Sequence, residues 1–129
     1  MTITEQKAAQ RKAGIAARRA LSDTERTRSN AALCARIMAL DCFKKAENIL
    51  LYAAFGGEAD LSALAVEAAW QGKTLAYPVC GEGFSLTAAV PGPDGWEVGL
   101  YGIPTPILSQ SEVLRPDQLD LVLVPCTAF

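Results

Sequence analysis

The pattern of apolar residues along the chain begins with two helices. From Thr4 to Leu21 nearly every residue favours a helix, and the one exception, Gly14, costs about 1 kcal/mol relative to Ala. Ser22 and Glu25 then stand at the spacing of a capping box, so a second helix is expected to begin there. Its apolar stripe should face a core. The stripe consists of Leu33, Ile37 and Leu40.

The next apolar runs predict two parallel strands joined by a helix. Asn48 to Phe55 is a continuous apolar run and indicates a first buried strand, and Thr74 to Cys80 indicates a second. Between them, Asp60 is placed to cap a helix and Gly72 to end it in the left-handed conformation. The inward face of that helix would be Leu61, Leu64, Ala65 and Ala68. Short joints between these elements imply a right-handed crossover and a parallel pair.

The last third of the chain is less regular. Phe84 to Val90 reads as a further strand. Tyr101 to Pro106 is expected to be an ordered loop, because Pro104 and Pro106 have no backbone N–H to donate. Leu121 to Val124 is an unbroken apolar run of the kind expected for a strand buried on both faces. The pattern as a whole predicts an α/β fold.

Composition limits the class of protein. A chain of 129 residues, half of them apolar and a fifth charged, is the usual profile of one soluble globular domain, here taken as residues 1–129. No apolar run approaches the roughly 20 residues of a membrane span, so no membrane partner is expected. The four cysteines lack a C-x-x-C spacing and the chain has no His, which argues against zinc and for free thiols in the cytoplasm. An organellar transit segment is the alternative explanation for the Arg- and Ala-rich start.

Charge is distributed unevenly. Residues 1–28 carry seven basic and three acidic side chains, a net +4, and the remainder is −6. Such a split occurs in nucleic-acid-binding proteins. It also fits a solvated basic face, which we adopt, and no nucleic-acid partner is expected.

A few side chains are placed to carry chemistry. Lys7 and Arg11 stand four residues apart on one helix face, where they are either a solvated cation pair or a site for a phosphate. Glu58 directly follows the first strand, and is either plain surface or an acceptor for a donor-rich ring. Cys126 follows the last strand and, with no His in the chain, is more consistent with an inert thiol than with a nucleophile.

Taken in order, these features resemble the 5-formyltetrahydrofolate cyclo-ligase family, also called 5,10-methenyltetrahydrofolate synthetase. The resemblance covers nearly the whole chain and is collinear. It is carried by the K-x-x-x-R of Lys7 and Arg11, "RRALSDTER" with Ser29 downstream, the Tyr52 strand leading to Glu58, "GKTLAYP", "GLYGIPTP" and "DLVLVPCTAF".

The resemblance implies a three-layer α/β/α fold with a mainly parallel sheet and a helical N-terminus. It also implies an enzyme that uses ATP and Mg²⁺ to cyclise 5-formyltetrahydrofolate to 5,10-methenyltetrahydrofolate, with release of ADP and phosphate. ATP is needed because a formamide oxygen is a poor leaving group until it is phosphorylated. Catalysis would then rest mainly on positioning and on neutralising phosphoryl charge.

Matched by position, Lys7 and Arg11 are implied as the cations that contact the ATP phosphates, and Glu58 as the carboxylate that holds the pterin. Tyr101 is implied to flank the folate. The catalytic residues and the Mg²⁺ ligands are not assigned. Two positions depart from the family pattern: Thr105 stands where Glu is usual, and Cys126, where Gly is usual, is expected to narrow the site.

In the family, the Ala-Phe pair is followed by Asp and a basic, Gly-rich nucleotide loop, and this sequence ends before that loop. We therefore expect a domain incomplete at its C-terminus, with a last strand whose open edge favours self-association. It is then either an enzyme completed by further residues or a second chain, or a non-catalytic folate-binding or interaction module. A relative acting on sugar phosphates is a third possibility that rests on fold alone.

Overall fold

The computed structural model describes residues 1–128, which form four helices and seven strands. The helices are α1 (Ile3–Ala20), α2 (Asp23–Met38), α3 (Asp41–Lys45) and α4 (Ser62–Trp70). The strands are β1 (Asn48–Leu50), β2 (Thr74–Cys80), β3 (Leu86–Pro91), β4 (Trp96–Val98), β5 (Pro104–Pro106), β6 (Ser111–Leu114) and β7 (Leu121–Val122). None of the helices in this range combines the length and the apolar character that crossing a membrane requires.

The first two helices begin at hydroxyl caps. The Thr2 hydroxyl accepts the Glu5 N–H at 3.1 Å and the Glu5 carboxylate accepts the Thr2 N–H at 2.8 Å, a complete capping box at the start of α1 that the sequence analysis missed. At α2 the Ser22 hydroxyl accepts the Glu25 N–H at 3.1 Å as predicted. The Glu25 carboxylate accepts the Ser22 hydroxyl rather than its N–H, so only half of the expected box forms.

The central sheet has the strand order β6-β3-β2-β1-β7. Strand β1 is parallel to both β2 and β7, which confirms the α/β class and the predicted parallel pair. Strands β2, β3 and β6 pair antiparallel, so the sheet is mixed rather than mainly parallel. The reason is the turn after β2: Gly83 has φ +64° and the Gly81 N–H donates to the Ser85 carbonyl, so the chain reverses at once instead of crossing over.

The core lies between β1 and the helices. Ile49 and Leu51 are fully buried against Phe43 of α3 and Leu64 of α4. The predicted inward face of α4 is confirmed, because Leu61, Leu64 and Ala68 are buried and Ala65 packs beside them. The stripe predicted for α2 is wrong at Leu40, which lies beyond the end of the helix and is 52% exposed. Cys34 is the residue that α2 buries instead.

The ends of α4 follow the sequence prediction. The Asp60 carboxylate accepts the N–H of Ser62, the first helical residue, at 2.9 Å. At the other end Gly72 has φ +80° and the Lys73 N–H donates to the Ala68 carbonyl at 3.0 Å. A left-handed glycine therefore closes this helix.

Strand β7 forms one edge of the sheet, and the prediction that its run is buried on both faces is wrong. Leu121 and Leu123 pack against the core, whereas Val122 and Val124 are 47% and 74% exposed. The physical reason is that only one face of this edge strand meets the helices. Asp120 fixes its start: the carboxylate accepts the backbone N–H groups of Asn48 at 2.9 Å and of Glu47 at 3.0 Å.

Residues 104–106, predicted to be an irregular loop, form strand β5, which pairs with β4 in a ribbon outside the central sheet. Flanking hydrogen bonds run from the Gly99 N–H to the Ile103 carbonyl and from the Ile107 N–H to the Gly95 carbonyl. Hydrogen-bonded pairs alternate with non-bonded ones along an antiparallel ladder. Both prolines therefore fall on non-bonded positions, where their missing donor costs nothing.

The Asp120 contact makes stability depend on pH. The pKa of Asp120 is lowered because its carboxylate accepts the N–H groups of Asn48 and Glu47. A carboxyl with a lowered folded-state pKa stabilises the fold above its ordinary pKa, about 4, and loses that contribution as the pH falls through the folded value. We predict that Asp120→Asn, which keeps an acceptor but cannot ionise, lowers the melting temperature at pH 7 and loses less stability on acidification, measured by thermal unfolding across pH.

Asp94→Asn is the matched control, since Asp94 lies in an exposed turn and its carboxylate accepts no hydrogen bond from residues 1–128. Its unfolding curve should follow the wild type. An acid limb of the Asp120→Asn protein that superimposes on the wild type would contradict the assigned role.

Candidate ligand-binding site

A cavity of about 410 Å³ opens where β1 and β2 end, bounded by the β4–β5 ribbon on its far side. The carboxyl ends of parallel strands are where open α/β sheets bind ligands. The residues lining the cavity are Tyr52, Ala53, Glu58, Tyr77, Pro78, Val79, Cys80, Glu97, Gly99, Leu100, Tyr101, Ile103, Pro104, Thr105 and Pro125.

All three tyrosines of the chain line this cavity. The Tyr52 hydroxyl donates to the Ala59 carbonyl at 2.8 Å, and the Tyr77 ring meets Trp96 edge to face at 4.7 Å. Burial raises the pKa of Tyr77, and burial followed by the charge of Glu58 raises the pKa of Tyr52. Both phenols therefore remain protonated at neutral pH, and the Tyr52 hydroxyl can hold the loop at Ala59 in place.

Glu58 is held by the turn that follows β1. One of its carboxylate oxygens accepts the Phe55 N–H at 2.9 Å, a structural role that the sequence analysis did not anticipate. The other oxygen has no hydrogen bond within residues 1–128 and remains available to a ligand. Glu97 adds a second carboxylate, and no Lys or Arg is among the described residues that line the cavity. An apolar, aromatic cavity with only acidic charge suits a planar ring rich in N–H donors.

Tyr101 stands at the rim of the cavity on a short 3₁₀ turn, Leu100–Gly102. Its backbone is left-handed, with φ +59°, a conformation that costs a residue with a Cβ about 1–2 kcal/mol. Its side chain is 84% exposed, so the ring is free to lie against a bound molecule. The structure thus brings Glu58 and Tyr101 into one cavity.

Lys7 and Arg11 lie on an exposed part of α1, outside the lining of this cavity. Neither forms an ion pair within residues 1–128, where the single such contact is Arg115 with Asp117. At roughly 100° per residue, both lie within about 60° of Gly14 and Arg18 on the helix surface. They continue, one and two turns toward the N-terminus, the face through which α1 contacts the strand ends.

Gly14 and Arg18 make the contacts of α1 with the strand ends. A Cβ on Gly14 would overlap the Thr127 carbonyl oxygen, so only glycine permits this approach. The Arg18 guanidinium donates to the Gly56 carbonyl at 3.3 Å and to the Cys126 carbonyl at 3.1 Å. Helix α1 is therefore tied to the loop that carries Glu58 and to the chain that follows β7.

The two departures from the family pattern have different consequences. Cys126 does not line the 410 Å³ cavity, where Pro125 is the neighbouring wall residue, so the expected narrowing is not seen there. Its thiol is free. Thr105 does line the cavity, and its hydroxyl donates to the Ile103 carbonyl at 3.0 Å. Glu97 lies directly across the β4–β5 ribbon from it.

The described residues fit the two implied cofactors unequally. Lys7 and Arg11 are exposed cations without acidic partners within residues 1–128, which suits a phosphate chain. No three Asp, Glu or Cys side chains in the same range gather closely enough to hold a metal ion. The residues described here therefore do not form a magnesium site.

Three cavity residues were missed by the sequence analysis: Tyr77, Glu97 and the Tyr52 side chain. Tyr77 was hidden inside an apolar strand run, and Glu97 enters only because the β4–β5 ribbon folds against β2. One signal was available. Each tyrosine lies within or just beyond a strand or loop assigned to the ligand end of the sheet, and three such residues in a chain with few aromatics mark one surface.

This architecture defines a mixed α/β domain with a ligand cavity at its parallel strand ends. The family model for 5-formyltetrahydrofolate cyclo-ligases matches residues 3–129, and the chain belongs to that family. No curated protein sequence matches it.

Two solved structures share the fold. The NMR structure of 5,10-methenyltetrahydrofolate synthetase from Aquifex aeolicus is 31% identical, with a TM-score of 0.77, over 92% of this chain and 59% of that one. The synthetase from Mycoplasma pneumoniae is 17% identical, with a TM-score of 0.70, over 92% and 63%. The chain thus spans about three fifths of the length of these two proteins.

The loop beside Glu58 offers a test of this packing. Gly56 and Gly57 both have left-handed backbones, with φ +62° and +83°. A Cβ on Gly56 would meet nothing within 4 Å, whereas one on Gly57 would lie 2.8 Å from Cδ of Arg18. We predict that Gly56→Ala costs about 1 kcal/mol of unfolding free energy, the strain of the left-handed backbone alone. Gly57→Ala should cost more, because Arg18 must also move.

Both variants can be measured by denaturant unfolding. The control shares the backbone conformation of the test position, so the difference between the two isolates the contact with Arg18. Equal costs would show that Arg18 does not hold the loop at Gly57.

Proposed function

We propose that this chain carries the folate-binding part of an ATP-dependent 5-formyltetrahydrofolate cyclo-ligase. The reaction converts 5-formyltetrahydrofolate and ATP to 5,10-methenyltetrahydrofolate, ADP and phosphate. The observation that carries the proposal is the single carboxylate oxygen of Glu58, free of protein partners and set among tyrosines in a cavity of a family member. The names of the two solved neighbours support the same activity.

In this proposal Glu58 accepts hydrogen bonds from the amino group and ring N–H of the pterin. A charged acceptor makes hydrogen bonds worth about 1.5–3 kcal/mol each, more than a neutral one. The Phe55 N–H holds the carboxylate in place before the ligand arrives. Tyr101 flanks the ring from the rim, and the apolar walls exclude water from the formyl group.

Lys7 and Arg11 are the residues we propose for the ATP phosphates. They lie on the face of α1 that continues toward the strand ends, with no carboxylate of residues 1–128 to compete for them. When bound, ATP supplies the phosphoryl group that turns the formyl oxygen into a leaving group. No described residue is proposed as a Mg²⁺ ligand.

The activity is tested by following the absorbance of the methenyl product on addition of MgATP and 5-formyltetrahydrofolate. We predict that Glu58→Gln weakens the binding of 5-formyltetrahydrofolate by at least about tenfold, because it loses a charged acceptor. The amide oxygen can still accept the Phe55 N–H, so the fold should be retained. Glu112→Gln, an exposed carboxylate outside the cavity, is the control and should leave binding unchanged.

Folate binding that is equal in the Glu58→Gln and wild-type proteins would remove Glu58 from the site. Absence of product from this chain, with folate binding intact, would confine the activity to a longer form.

A non-catalytic folate-binding module is the second candidate. The observation that favours it is that the cavity holding Glu58 contains no Lys or Arg among its described lining residues, so folate binding does not need ATP.

Calorimetric titration of 5-formyltetrahydrofolate with and without ATP separates the two candidates. We predict that ATP tightens folate binding, and that Lys7→Gln with Arg11→Gln abolishes this coupling while leaving binding in its absence intact. Lys12→Gln on the same helix is the control. Folate binding that is indifferent to ATP would instead support the module.

A further inference from the structure

A second cavity, of about 240 Å³, lies on the other side of the Gly57–Ala59 loop, between that loop and helices α1 and α2. Gly57 and Ala59 line it, whereas Glu58 between them lines the larger cavity. Its other walls include Arg18, Arg26, Ser29 and Asn30. Among the described lining residues there is no Asp or Glu, so two cations share a cavity that contains no anion.

Neutral backbone carbonyls hold both arginines in place. Arg18 donates to Gly56 and Cys126 as described above, and Arg26 donates to the carbonyls of Arg18 at 3.1 Å and Leu21 at 3.4 Å. A Cβ on Gly57 would lie 2.8 Å from Cδ of Arg18 and 3.2 Å from Nη1 of Arg26. The two side chains therefore converge on one backbone atom, and their like charges repel unless an anion lies between them.

The same cavity offers further donors. The Gly57 N–H and the Ser29 hydroxyl have no acceptor within residues 1–128. Asn30 uses its carbonyl oxygen to accept the Asp60 N–H at 3.1 Å, which leaves its amide NH₂ as a donor. The volume is several times the roughly 30 Å³ of a water molecule, enough for a tetrahedral anion and its remaining hydration.

We propose that this cavity, defined by Arg18, Arg26, Ser29 and the Gly57 N–H, binds a tetrahedral oxyanion of the phosphate class. The anion is either free phosphate or the terminal group of a phosphorylated ligand. The site is separate from Lys7 and Arg11 and does not depend on the proposed activity. Two guanidinium groups with a backbone N–H form the donor set that phosphate oxygens accept most strongly.

The direct test is a titration with inorganic phosphate followed by the amide resonance of Gly57 in a ¹H–¹⁵N spectrum. The structure predicts a saturable shift that sodium chloride at equal ionic strength does not produce. ATP in a second titration identifies the source: a shift at lower concentration, relieved by no further phosphate, assigns a nucleotide's terminal group, and no shift assigns free phosphate. Absence of a saturable shift with both ligands overturns the proposal.

Variants separate this site from the general positive charge of α1. Arg26→Gln should weaken phosphate binding by about tenfold or more, the loss expected for one charged donor. Arg19→Gln removes the same charge from the outer face of α1 and should leave binding unchanged. Equal losses in the two variants would show that the effect is only net charge.

Because Arg26 also caps the end of α1, a second variant leaves that contact intact. Ser29→Asp places a carboxylate in the cavity, where it should pair with the arginines, raise the melting temperature in phosphate-free buffer and abolish the shift of Gly57 by phosphate. Phosphate binding by Ser29→Asp that equals the wild type would overturn the assignment.

Discussion

The hydrogen bonds of the Arg18 guanidinium hold the arrangement of the candidate site together. Helix α1 has no buried residue, so burial of apolar surface does not fix its position. It is fixed by the close approach of Gly14 to Thr127 and by the two carbonyls that Arg18 bridges, 38 and 108 residues further along the chain. One charged side chain therefore sets where the basic helix lies relative to the strand ends.

The same turn keeps charges of opposite sign apart. Glu58 is bonded to the Phe55 N–H and faces the tyrosine-lined cavity, while Arg18 is bonded to the Gly56 carbonyl and faces the other. Adjacent left-handed glycines give the loop the sharp bend that this division needs. A direct ion pair between Glu58 and Arg18 would neutralise both cavities. Backbone partners leave each charge available to a ligand.

The elements were predictable from the sequence where local chemistry determines them, and the candidate site only in part. Helix starts, the end of α4 at Gly72 and the span of β2 follow from caps and apolar periodicity, and the structure agrees. The exposure of Val122 was not predictable, because it depends on which strand becomes the sheet edge. Glu58 and Tyr101 share a cavity as their placement suggested. Arg26 was not foreseen as a site residue, because its role arises only when α2 folds back beside Gly57.

The β4–β5 ribbon shows how a carboxylate is present in the cavity although Thr occupies position 105. Register places Glu97 directly opposite Thr105, so their side chains share a face of the ribbon, with Cβ atoms about 5 Å apart. Both residues line the cavity, and the edge-to-face contact of Trp96 with Tyr77 fixes the ribbon against the sheet. A charge that the family pattern places at 105 is therefore supplied here from the adjacent strand. Position in the sequence changes while the acidic character of the wall does not, because pairing of strands, rather than chain order, determines which side chains meet.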